Sequence, residues 1–96
     1  MLRSMLLFPV VVTAMEPYEA EGGGYNNMHV HVGDQIQLSK EIFVSGEQSH
    51  LYSTYAHGYK LKQQEGIFEP VAVGWFPIHI FHNAQTQLRI AGAQFV

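Results

Sequence analysis

The chain has no cysteine, so disulfide staples and cysteine-based zinc sites are excluded. It is poor in charge: five Lys and Arg and eight Asp and Glu make up 14% of 96 residues, where an ordinary domain carries roughly 25%. The basic side is the weaker one, and net −3 disfavours a nucleic-acid binder that works by neutralising phosphates. No apolar run approaches the ~20 residues of a membrane span. Apolar content is 47%, so disorder driven by low hydrophobicity is excluded as well.

Uncharged polar side chains stand where charges are missing, chiefly eight Gln and six His. The shortage is uneven. Eleven of the 13 charges fall between Glu16 and Glu69, residues 1–15 contain only Arg3, and residues 70–96 contain only Arg89. That tail also carries Trp75, Phe76, Ile78, Ile80, Phe81, Leu88, Ile90 and Phe95. Two readings follow: the ends are core strands of one small domain, or they are buried against other subunits as well. Interface cores are depleted in charge and rich in aromatics. Trp75, Phe76, Ile78, Ile80, Phe81 and Phe95 are therefore the candidate interface residues.

The first 14 residues have one basic residue, an apolar stretch and a small-residue end, which is part of signal-peptide grammar. Pro9 interrupts the stretch, and a first or edge strand from Leu6 to Ala14 is the preferred reading. Glu16 to Asn27, with Pro17, Gly22-Gly23-Gly24 and Asn26-Asn27, reads as a loop. Met28 to Val32 alternates with period two, Gly33-Asp34 makes a turn, and strands follow at Gln35–Leu38 and Glu41–Val44. Between Ser49 and Glu65, Leu51, Tyr52, Tyr55, Ala56 and Tyr59 recur at steps of three and four, Ser49 can cap and Gly66 can end. This spacing predicts a helix, weakened by Gly58 inside it. A tyrosine-rich β-hairpin is the competing reading. Strands are expected again at Ile67-Phe68, Val71–Phe76, Ile78–Phe81, Thr86–Ala91 and Gln94–Val96, with Gly92 a break. The fold expected is mainly β: a small SH3-like or Greek-key barrel or sandwich with one short helix. Residues 1–71 would form its core and residues 72–96 a C-terminal β extension.

Val32-Gly33-Asp34-Gln35-Ile36-Gln37-Leu38, followed downstream by Ala56, Leu61 and Gly66-Ile67-Phe68-Glu69-Pro70-Val71, resembles a pattern in small phage virion proteins with an SH3-like barrel, the capsid decoration and head-accessory proteins. In that pattern a V-G-D-x-I-x-L strand leads into a short helix and then a G-x-x-E-P-V strand. The resemblance covers residues 28–71. It implies a structural role in a virion or during its assembly in the host cytoplasm, and no catalytic residue to carry over.

His29 and His31 are the sharpest chemical feature. On a strand, residues two apart share a face, so both imidazoles could reach one ion, with His50, His57, His79 or His82 as a third ligand. The competing reading is a polar strand face that uses histidine where other proteins use Lys or Glu. Catalysis has little support: the chain has no cysteine nucleophile, no Gly-x-Ser-x-Gly elbow and no paired carboxylate at helical spacing in an expected cleft. No cofactor is expected. The function expected is non-enzymatic, acting through contacts with protein, whether further copies of the chain in a homo-oligomer or capsid subunits, and not with nucleic acid or membrane. A small metal-binding barrel using His29 and His31 and a phage-encoded inhibitor of a host protein are the alternatives.

Overall fold

In the computed structural model the described residues are 9–19, 29–45, 53–64 and 67–96, with side chains described in all of these except 63–64 and 67–72. The chain is mainly β, built on antiparallel pairs, and the sheet does not close into a barrel. Among the described residues the strands are β1 (Val10–Thr13), β2 (Tyr18–Glu19), β3 (His29–Val30), β4 (Gln35–Ser45), β5 (Ser53–Gln64), β6 (Ile67–Pro77) and β7 (Gln94–Phe95). A 3₁₀ turn, Ile78–Ile80, and one helix, α1 (Ala84–Ile90), lie between β6 and β7.

The main sheet is ordered β1-β4-β5-β6, and β7 pairs in parallel with β4 at Glu41 and Ile42. Together β1 and β7 divide one edge of β4, since β1 takes Gln35 to Leu38. The 3₁₀ turn carries the chain from β6 back towards β1. There Phe81 bridges Ala14, and Met15 N–H donates to the Ile80 carbonyl at 2.7 Å. Among the described residues β2 and β3 pair only with each other.

Alternation explains the core. Val10 and Val12 of β1, Ile36 and Leu38 of β4, Ala56 of β5 and Phe76 of β6 point to one side and are buried. Val30, Ile78, Ile80, Phe81, Ala84 and Leu88 complete that side, and the Phe76 and Phe81 rings meet edge to face with centroids 6.4 Å apart. No polar side chain is buried among the described residues. Here the candidate interface residues Phe76, Ile78, Ile80 and Phe81 find their place: they are 0–8% exposed, in the chain's own core rather than on a surface.

The segment expected to be a helix, Ser49 to Glu65, is strand β5 over Ser53–Gln64; Ser49, Leu51 and Tyr52 lie outside the described residues. Tyr55, His57, Tyr59 and Leu61 alternate with Ala56, Gly58, Lys60 and Lys62, and only this period-two pattern buries one side while leaving the other open. Gly58 decides the matter. A Cβ there would stand 2.6 Å from the Gln37 carbonyl oxygen, so β4 can lie this close only to glycine. Next to it β4 bulges: Leu38 pairs with Gly58 but Ile42 with Ala56, so the separate strands expected at 35–38 and 41–44 are two halves of one.

The helix lies where a strand was expected. Ala84, Leu88 and Ala91 recur at helical steps, with the first two buried and the third packed against the core. Gly92 ends it at φ 82°, with Gly92 N–H donating to the Arg89 carbonyl (3.1 Å) and Ala93 N–H to that of Leu88 (2.9 Å). This pair of bonds is the Schellman stop that favours glycine. Ile78–Ile80, also expected as strand, is the 3₁₀ turn, and 67–68 and 71–76 join into the single strand β6.

Candidate functional site

The other side of the sheet has no layer over it among the described residues. By register it carries Val11 and Thr13 of β1, Gln35, Gln37, Ser39 and Phe43 of β4, Tyr55, His57, Tyr59 and Leu61 of β5, and Val73 and Trp75 of β6. None of these is an Asp, Glu, Lys or Arg. The charges of the same strands lie elsewhere. Lys60 and Lys62 alternate to the opposite side, and Lys40 and Glu41 sit in the bulge. Lys60 Nζ pairs with Asp34 at 3.1 Å and donates to the His29 carbonyl.

At the centre of this open face the aromatics are packed on one another. Phe43 stacks on Tyr55 (centroids 5.2 Å apart, planes 14° apart) and meets Trp75 edge-on at 4.7 Å. His57, cross-strand partner of Trp75, contacts that indole at 5.1 Å and Tyr59 at 6.2 Å. Ser39 Oγ lies 3.4 Å from His57 Nδ1. Phe43, Tyr55, His57, Tyr59 and Trp75 are all half-buried, and Val11 and Val73 beside them are 38% and 40% exposed. Mutual packing holds the rings in place without hiding them. Rigid aromatics of this kind lose little side-chain entropy on contact, a property of protein-binding surfaces.

Of the candidate interface residues, Trp75 lies on this face, and Phe95 lies on the surface at the end of the sheet, 70% exposed and beside Ile42. Phe43, Tyr55, His57 and Tyr59 were missed as a set. Their signal is the alternation at 53, 55, 57, 59 and 61, which the competing three-and-four spacing of the tyrosines masks.

The described histidines do not gather into a three-ligand set. β3 holds only His29 and Val30. His29 Nδ1 lies 3.4 Å from Glu19 Oε2, while His31 is in the turn, where its backbone N–H donates to Asp34 Oδ2 at 2.8 Å. Among the described residues no three His, Cys, Asp or Glu side chains come together as metal ligands; His50 and the Gly22-Gly23-Gly24 run lie outside those residues. An open cleft of about 450 Å³ is lined by Thr13, Gly33, Asp34, Gln35 and Leu61. Its carboxylate, Asp34, is engaged by Lys60 and by the His31 amide.

No family model matches the chain, and no curated protein or solved structure matches it significantly. No helix among the described residues is long and apolar enough to cross a membrane.

Proposed function

We propose that this chain is a non-enzymatic assembly protein, and that the open face of its sheet is the surface by which it holds a protein partner. One observation carries the reading: five half-buried rings are packed together on a face with no formal charge. Binding surfaces are centred on such aromatic anchors and depleted in charge at their core. An exposed patch of this kind is otherwise a solubility liability for a lone chain.

The finer fold reading is an SH3-like arrangement. The order β1-β4-β5-β6, the 3₁₀ turn after β6 and the Phe81–Ala14 bridge back to β1 support it. The virion is the proposed assembly, and its support is the likeness of residues 28–71 to capsid decoration and head-accessory proteins. That likeness is partial, because strand β5 stands where the pattern has a short helix.

The test is sedimentation of the tagged chain in extract of its source cells, beside a Trp75→Ala/Tyr59→Ser variant. The expected result is a discrete complex of fixed stoichiometry that the variant leaves while remaining folded. A wild-type chain that sediments alone contradicts the reading.

A further inference from the structure

The two ends of the main sheet differ in how they are finished. β1 is four residues long, is preceded by Pro9, and is joined at its far end by Phe81 and the Ile80 carbonyl. β6 is 11 residues long, and no described strand pairs with its outer edge. Natural sheets protect such edges with charge, proline or bulges. The first half of β6 has all three: Glu69, Pro70, and a bulge where Lys60 pairs with Ala72 but Leu61 with Pro70. The second half, Ala72-Val73-Gly74-Trp75-Phe76, has none, and Pro77, which lacks an N–H, closes it.

We infer that this stretch is a self-pairing edge, on which β6 of a second copy of the chain adds antiparallel and joins two sheets into one. The occupant follows from the symmetry and charge of the segment. The bulge at one end and Pro77 at the other leave a five-residue window centred on Gly74. A two-fold axis at Gly74 sets Val73 of each copy opposite Trp75 of the other and Ala72 opposite Phe76, and brings no side chain onto the axis itself. Such an isologous contact sets each segment against itself. Like charges set opposite each other would destabilise it, and the window carries none. A foreign strand has no such match built into the sequence. Val73 and Trp75 lie on the open face, so pairing makes the two aromatic faces continuous.

The inference rests on the reading of the chain as an assembly protein but uses the edge of the sheet, so the two can fail separately. The experiment is sedimentation equilibrium of the full chain from micromolar to millimolar concentration, with hydrogen exchange at both extremes. The expected result is a monomer–dimer equilibrium in which amides within 72–76 become protected as concentration rises while β1 does not change. Val73→Lys puts a long, solvated charge on the pairing edge of both copies, as natural sheets do to block strand addition, and weakens the dimer at least about tenfold. Tyr59→Ser, one strand inward on the same face, leaves dimerisation unchanged. Val73 is 40% exposed, so the lysine can be solvated in the monomer, and circular dichroism verifies that both variants fold. A wild-type chain that stays monomeric at millimolar concentration overturns the inference. So does a dimer that Val73→Lys leaves intact or that protects amides outside 72–76. Loss of the cellular partner in Tyr59→Ser with an intact dimer supports the open face as the partner's site and leaves the edge as the self-contact.

Discussion

Trp75 and Phe76 are neighbours in sequence and point to opposite sides of one sheet. Phe76 is fully buried among Phe81 and the aliphatic core, and Trp75 is half-buried among Phe43 and His57. The buried core and the aromatic cluster are both free of charged side chains, yet among the described residues only the core is covered by the chain itself. The inner side has the 3₁₀ turn, Phe81 and α1 laid over it, which draw on most of the charge-poor C-terminal tail. Among the described residues, what remains bare is a face built largely from the middle of the chain, where charges are plentiful in sequence but alternate away to the inner side or collect in the bulge. Total apolar content does not separate the two sides. What separates them is whether the rest of the chain reaches over.

The largest effect that can break this comparison is at Phe76. Phe76→Ala removes a fully buried ring and is expected to cost about 3–5 kcal/mol in urea unfolding followed by circular dichroism. Gly58→Ala comes next. The added methyl meets a backbone carbonyl that cannot step aside, so a loss of about 1–3 kcal/mol is expected, with the β4–β5 pairing disturbed in amide exchange. Trp75→Ala gives up edge contacts on an open face and is expected to cost only about 1–1.5 kcal/mol by the same unfolding measurement. If it costs as much as Phe76→Ala, the two sides are not different in kind. The smallest effect is expected at Gln37, which sits on the open face opposite Tyr59. Gln37→Lys should change stability by no more than about 0.5 kcal/mol while removing the partner, as read by sedimentation in extract.

The sequence made the β class, the Gly33-Asp34 turn and a break at Gly92 legible, because each rests on local chemistry. The helix was misplaced for a physical reason. Tyr55, Ala56 and Tyr59 satisfy helical spacing as well as alternation, and the deciding fact is the approach of Gln37 to Gly58, a contact between residues far apart in the chain. The helix at 84–90 was hidden because its buried stripe is only Ala84, Leu88 and Ala91, while the exposed Ile90 imitates a strand position. The charge shortage marked the tail as a place of contact; its first part, from Phe76 to Leu88, supplies core residues, while Ile90, Phe95 and Val96 are exposed. Phe76, Ile78, Ile80 and Phe81 turn inward, and of the residues singled out in the tail Trp75 alone joins the aromatic cluster. The metal reading of His29 and His31 needed a strand longer than the two residues of β3.

The most direct test of the open face is hydroxyl-radical footprinting of the isolated chain and of the same chain in its native complex. The account predicts that Tyr55, Tyr59 and the single tryptophan, Trp75, are modified readily in the isolated chain and protected together in the complex. Phe76 and Phe81 should stay unmodified in both. Equal modification of the three open-face rings in the two states would contradict it.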